Sequence, residues 1–482
     1  MFIDDDLIER DAVEQLVLLA AKKVSAAELL KTHLARHEQT HGRLNAVIAV
    51  NLERALERAK AIDDLRAKGE NLGALAGLPM TVKDTFDVVG MPASSGLKVY
   101  RQRQALNANA VRAAKHAGVV IWGKTNVPVL AGDWQSFNSL YGATSNPWDP
   151  ARTCGGSSGG AAAALAARVT PLEIGSDIGG SLRVPASFCG VFSHKPTWGL
   201  VSQRGHVPPS PGSWSERDLN VVGPMARSAR DLRLLLSVFV GGPLAARAPA
   251  ADLKTAKIGL WLDEPSFPLD PQVKSVIEAF AGKLAEAGVE VIPIASPLHM
   301  PTLTAAYRTL LGAIIGEDMP EKAVRGLERL RPWAKWQVSR GAMPDSNAAM
   351  TLAYTATHRE WLAADAVRNR LRQEIGQLFD RFDVILAPIA PVTAFPHDHR
   401  PFNRRSLTMS GGQRIAYGAM LNWISLATAL HLPATAIPAG RAADGMPVGA
   451  QLIGPLSSDG KTLALAQAID ENIKSFVAPP PG

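Results

Sequence analysis

Residues 151–190 read ARTCGGSSGGAAAALAARVTPLEIGSDIGGSLRVPASFCG, two glycine-serine clusters joined by an alanine-rich segment of helical character. The first cluster is Gly155, Gly156, Ser157, Ser158, Gly159 and Gly160; the second is Ile178, Gly179, Gly180 and Ser181. Glycine takes positive φ and carries no Cβ, so such runs let successive backbone N–H groups converge and let a ligand approach the main chain. A serine among those donors is placed to attack a carbonyl while the N–H groups stabilise the oxygen that turns negative. Two exposed turns are the bland alternative, but clusters flanking one helix do not resemble a flexible Gly/Ser linker.

Outward from this stretch, residues 75 onward alternate short apolar runs, glycine turns and helical patterns, which predicts a layered α/β architecture. Residues 77–90, GLPMTVKDTFDVVG, contain a strand-like run ending at Val82 and followed by Lys83 and Asp84. Taken alone, a lysine at a strand end reads as a solvated group. Residues 257–293 carry strand-like IGLWL, an amphipathic helix and strand-like VEVIPI, one β-α-β unit added to the main sheet. Nearer the N-terminus, Ser25-Ala-Ala-Glu28 is a capping box opening a helix, Ala46 to Val50 is a short strand, and a second helix spans about 52–68.

Composition narrows the class. The 482 residues are 46% apolar and 20% charged, an ordinary globular balance with ample length for a large core. The formal charge is +7, but acids interleave with bases, as in ERALERAKAIDDLRAK at 53–68, and no basic run is broken by aromatics. The expectation is therefore solvated helix faces and no nucleic-acid partner. Two cysteines, Cys154 and Cys189, form no disulfide framework for a chain this size. The acidic start MFIDDDLIER lacks a signal-peptide pattern, and the longest apolar stretch soon meets Gly241, Gly242 and Pro243. The expectation is a cytoplasmic protein with no membrane contact.

Several motifs compete for the chemistry. Residues 118–125, GVVIWGKT, satisfy GxxxxGK[ST], yet VVIW reads as a buried strand where a phosphate-wrapping loop is needed, so ATP binding is not expected. Gly155-x-Ser157-x-Gly159 fits the nucleophile elbow of α/β-hydrolases, with His194 and His206 downstream, but that triad leaves Ser181 unexplained. His33, His37 and His41 recur at i, i+4, i+8, which reads as a hydrated helix face, as do His397 and His399 in their loop; no metal and no cofactor are expected.

Taken together, the motifs resemble the amidase signature family. Gly77-Leu-Pro79, Val82-Lys83-Asp84, Gly123-Lys-Thr-Asn126, Tyr141 to Pro147, Gly155 to Gly160, Gly175 to Arg183, Lys195-Pro-Thr197 and Gly223 to Arg227 stand in the family's order. Asp383 to Pro388 and Pro447 to Gly454 resemble its C-terminal blocks. Thr153-Cys154, where a proline is common, and Val129, where many members carry Glu, depart from the pattern and bear on substrate choice more than on catalysis.

The resemblance implies a single α/β/α domain over 1–482 with a large mixed sheet. Its parts are an N-terminal helical segment (1–74), a catalytic core (75–240), a β-α-β unit with substrate-side helices (255–380) and a C-terminal return to the sheet (381–482). It implies Lys83, Ser157 and Ser181 as catalytic triad, with Ser181 the nucleophile, and Ile178, Gly179, Gly180 and Ser181 as oxyanion hole. Ser158, Asp177 and Arg183 are expected to support them. Trp134, Gln135 and Trp214 are expected pocket walls, along with helices carrying Trp333, Trp336 and Trp361. The implied partner is a small-molecule amide or carbamate, with esters possible in the family, and a homodimer is left open. Two rivals remain, a glutaminase-type subunit of a tRNA-dependent amidotransferase and a basic binding protein without enzymatic activity.

Overall fold

Eight strands build a mixed sheet in the order Glu290–Pro293, Lys257–Leu260, Val384–Pro388, Pro447–Ile453, Ala434–Arg441, Phe192–Lys195, Val221–Ala226 and Leu172–Asp177. The computed structural model describes residues 5–103, 105–242, 250–343 and 346–480. Val384–Pro388 and Pro447–Ile453 are buried at every position, which is why they read as continuous apolar runs rather than alternations. Lys257–Leu260 pairs in parallel with both Glu290–Pro293 and Val384–Pro388, and the remaining ladders are antiparallel. The parallel step is the expected β-α-β unit, with helix Pro271–Glu286 as its crossover.

A second sheet of three strands, Val47–Val50, Val120–Thr125 and Pro79–Lys83, lies beside the edge strand Leu172–Asp177. The two are laced together by side chains. The Thr81 N–H donates to Thr170 Oγ1 at 3.2 Å, and the Thr81 hydroxyl donates to Glu173 Oε1. Lys83, the last residue of its strand, is thereby carried inward and is fully buried. The strand-end reading of a solvated lysine is corrected on this point.

Helix Ala26–Leu44 begins at Ser25 with both bonds of the capping box formed. His41 lies within it rather than beyond its end. His33 is fully buried, with Nε2 3.2 Å from Gln15 Oε1, so the hydrated-face reading fails for that residue. Burial pushes its imidazole down to about 3, keeping it neutral in the core. Among the described residues no group of three or more His, Cys, Asp or Glu side chains is placed to hold a metal ion, and no helix is long and apolar enough to cross a membrane.

The rejected phosphate-loop pattern is structural. Val120–Thr125 is a strand, and the Lys124 ammonium is buried against the carbonyls of Phe86 (2.5 Å) and Pro92 (3.0 Å).

The alanine-rich segment forms helix Gly159–Ala166, every residue of it buried. It has no polar face because it has no solvent face. Gly160 shows the constraint most sharply: a Cβ there would lie 2.3 Å from the Asn126 nitrogen and 2.8 Å from the Ala46 carbonyl oxygen. Gly160→Ala must push main chain apart, and we expect a loss of about 1–3 kcal/mol of stability, read by urea denaturation. Unchanged stability would mean that this helix can shift away from the three-stranded sheet.

Candidate active site

The two clusters converge because each sits at an element end facing the same cleft. Gly155–Ser158 leads into helix Gly159–Ala166, and Ile178–Ser181 links strand Leu172–Asp177 to helix Arg183–Cys189. The Ser158 N–H donates to the Ser181 carbonyl at 3.2 Å, tying one cluster to the other. Gly155 and Gly180 have φ of 82° and 92°, conformations that glycine adopts without steric cost. The Gly156–Ser157 peptide is cis.

Lys83 arrives between them. Its Nζ donates to Ser157 Oγ at 2.8 Å and to Ser176 Oγ at 2.9 Å. Burial pulls the amine from 10.5 down to about 7, against the opposing charges of Asp177 and Glu173. Those carboxylates are themselves occupied. Glu173 is pushed up to about 8 by burial, so near neutral pH it is mostly protonated and lends Lys83 little negative charge. Burial alone would raise Asp177, but the Arg183 guanidinium outweighs it and keeps that carboxyl below its ordinary range. Asp177 accepts from Arg183 Nε (3.0 Å) and Nη2 (3.1 Å) and from the Gly180 and Leu182 N–H groups. Arg183 also reaches Gln451 Oε1 at 2.9 Å and Thr428 Oγ1 at 2.7 Å, all within the interior.

Within the second cluster the N–H groups divide. That of Gly180 donates to Asp177 Oδ1 at 2.8 Å, which removes it from the expected set of four oxyanion donors. Those of Ile178, Gly179 and Ser181 donate to no acceptor among the described residues. Two side chains fix the loop from behind. Tyr307 Oη donates to the Ile178 carbonyl at 2.9 Å, and Trp134 Nε1 to the Gly179 carbonyl at 2.8 Å. Ser158 Oγ donates to the Ser176 carbonyl at 3.4 Å.

The cleft is lined by Ser157, Ser176, Ser181 and Ile178 together with Leu130, Ala131, His206, Pro208, Arg217 and Asn220. Its cavity volume is about 40 Å³, room for no more than a few waters. The expected walls lie elsewhere. Trp134 is buried behind the oxyanion loop, and Gln135 is a buried brace that exchanges bonds with the main chain of Asp398 (2.8 and 2.9 Å). Trp214 is 73% exposed under the Arg204 guanidinium, and Trp333 and Trp336 are also exposed. His194, one histidine offered for an elbow triad, is held by Thr435 and Asp459, whereas His206 does enter the cleft. Ser176 and Tyr307 were not singled out by sequence.

A family model described as Amidase matches residues 28–463. The chain belongs to the amidase signature family. It is 32% identical to the A-subunit of glutamyl-tRNA(Gln) amidotransferase from Acidothermus cellulolyticus, an alignment covering 96% of this chain and 94% of that protein. Among solved structures it is similar to an amidase (28% identity, TM-score 0.77, 96% of this chain and 99% of the other). It is likewise similar to the peptide amidase from Stenotrophomonas maltophilia (25% identity, TM-score 0.75, 98% of each chain). The large mixed sheet is thus the amidase signature fold, and the family chemistry is cleavage of amide C–N bonds.

A buried amine near pH 7 also bears on stability. The unfolded chain keeps the lysine proton up to about 10.4, whereas the native state releases it above about 7. Native stability therefore rises with pH across that window. Lys83→Met, which keeps the length and drops the charge, is expected to be about 1–3 kcal/mol more stable than the parent at pH 7. The advantage should shrink towards pH 10. Urea denaturation at both pH values tests this; a variant equally stable or weaker at pH 7 would show that the amine carries no such cost.

Proposed function

We propose that this chain hydrolyses the C–N bond of small carboxamides, through an acyl-enzyme on Ser181. The observation that carries the reading is the fully buried Lys83 amine, near 7, 2.8 Å from the hydroxyl of Ser157. Ser181 Oγ attacks the carbonyl carbon, its proton passes to Ser157, and the Ser157 proton passes to neutral Lys83. The carbonyl oxygen becomes an oxyanion facing the N–H groups of Ile178, Gly179 and Ser181. As the tetrahedral adduct collapses, the C–N bond breaks and the amine leaves with the proton returned from Lys83 through Ser157. Water then adds to the ester by the same relay and releases the acid and Ser181. Lysine replaces histidine here because burial brings its pKa to the working range.

The pocket supports a short, neutral acyl group. It is small, and the one guanidinium on its described wall is already matched, with Arg217 held by Asp318 (2.5 and 2.7 Å) and Glu317 (3.1 Å). Aryl amides, carbamates and esters with such acyl groups are candidate substrates.

A second reading, favoured by the curated relatives, is a glutamine-cleaving subunit of a tRNA-dependent amidotransferase. Those relatives match along nearly their whole length and carry that name. It replaces the expectation of a small-molecule partner alone with a tRNA and a further protein of the complex. The triad chemistry is common to both readings. A panel of simple carboxamides, anilides, carbamates, esters, asparagine and glutamine, given to the purified chain, separates them. We expect turnover of neutral carboxamides without any partner; turnover confined to glutamine and dependent on an added partner protein would overturn the first reading in favour of the second.

Lys83 as base makes a pH claim with a definite sign. Activity needs the unprotonated amine, so kcat/KM should climb with pH through an ionisation near 7 and be lost on the acid side. Lys83→Arg keeps the charge but cannot release its proton, and should cost on the order of 10²–10⁴ in kcat. A serine-directed phosphonate should add its mass to the peptide containing Ser181. Label on Ser157, or a Lys83→Arg enzyme of parental activity, would overturn the assignment.

A further inference from the structure

Lys83 has a second neighbour that the triad does not use. Ser176 lies on the edge strand, and its Oγ is 2.9 Å from Lys83 Nζ and 2.8 Å from His206 Nε2. His206 Nδ1 in turn is 2.7 Å from the Pro208 carbonyl oxygen. Both His206 and Ser176 are buried, and the edge of the Phe86 ring packs on the imidazole with centroids 4.9 Å apart.

The direction of every bond in this line follows from one fixed end. A carbonyl only accepts, so Nδ1 carries the hydrogen. Burial, with the neighbouring Lys83 and Arg217 charges, pushes the imidazole down to about 3, so it stays neutral and Nε2 is a lone pair. Ser176 must then donate its hydroxyl hydrogen to Nε2, which leaves its oxygen able only to accept from Lys83. A neutral lysine has two N–H bonds and one lone pair. With one N–H directed at Ser176, the hydroxyl that can supply a proton to the lone pair is Ser157.

We propose that His206, acting through Ser176, is a positioning residue that orients the lone pair of neutral Lys83 towards Ser157. This rests on the reading of Lys83 as the base. Without the imidazole acceptor, the Ser176 hydroxyl is free to turn and donate to Lys83 itself, competing with Ser157 for the lone pair. That competition also stabilises the neutral amine. Asp177 and Glu173 on the edge strand, and Arg217 beside His206, face the group from either side and are unchanged by a substitution at 206.

Two substitutions separate orientation from bracing of the Pro208 loop. His206→Asn places an amide N–H where Nδ1 was, keeping the bond to Pro208 and offering nothing to Ser176. His206→Gln reaches the Nε2 position with a carbonyl oxygen and gives up the Pro208 bond. The proposal expects His206→Asn to lose about 10- to 100-fold in kcat with KM little changed, and to move the acid limb of the pH profile to lower pH. It expects His206→Gln to recover most of that rate and to restore the limb. Parental kcat and profile in His206→Asn, or His206→Gln as impaired as His206→Asn, overturns it. Should the 206 variants fail to fold, Ser176→Ala carries the test, with the same loss in kcat and the same shift expected; a parental rate or an unshifted limb overturns it. Lys83→Ala is assayed alongside on the same carboxamide. A Lys83→Ala enzyme that still turns over refutes the base itself, whereas an inactive Lys83→Ala beside an unaffected His206→Asn refutes only the positioning role.

Discussion

An amine enclosed by hydroxyls and cut off from water holds its proton poorly, and the rest of this site depends on keeping Lys83 in that condition. The shift from 10.5 to about 7 corresponds to roughly 5 kcal/mol set against the charged form. A single free carboxylate nearby would reverse it. Asp177 is near enough to raise Lys83, yet two guanidinium nitrogens and two main-chain N–H groups occupy its oxygens. Glu173 accepts from Thr81 and is near neutral when buried. The Arg183–Asp177 pair thus does electrostatic work beyond bracing. It shields the lysine from a charge that would keep it protonated, and its guanidinium is itself satisfied by Gln451 and Thr428, which sheet and helix bring from the far end of the chain.

The parts of this arrangement legible in the sequence were those written locally. The glycine-serine clusters, the strand ending at Lys83 and the β-α-β unit at 257–293 each carry their own pattern of turn residues and apolar period. What escaped depends on contacts between distant segments. Ser176 gains its importance from a histidine thirty positions on and Tyr307 from a loop 129 positions back, and neither contact leaves a periodic mark. The three histidines at i, i+4, i+8 misled for a geometric reason. Each step of four residues advances about 40° around a helix, so His33 faces the core while His41 reaches solvent. The tryptophans misled for a chemical one, since a bulky ring serves equally as core, surface stack or pocket wall, and Trp134 and Trp214 became the first two.

The same separation between local pattern and distant support explains how the oxyanion loop is aimed. In a trans peptide the N–H points opposite to the carbonyl of the residue before it. Tyr307 draws the Ile178 carbonyl backwards, which turns the Gly179 N–H forwards into the cleft. Trp134 draws the Gly179 carbonyl, and the N–H turned the other way is that of Gly180, which Asp177 captures. Two ring donors from separate elements thereby set two successive peptides, and the glycines between them supply the φ that the alternation needs. The donors left over are those of Ile178, Gly179 and Ser181, so the nucleophile's own N–H stands beside the hydroxyl that would attack. Substrate preference can then change by altering the opposite wall, Leu130, Ala131, Pro208, Arg217 and Asn220, without disturbing either peptide. In a family whose relatives differ in substrate while sharing a fold, that division lets one scaffold keep its chemistry fixed and its acyl pocket free to vary.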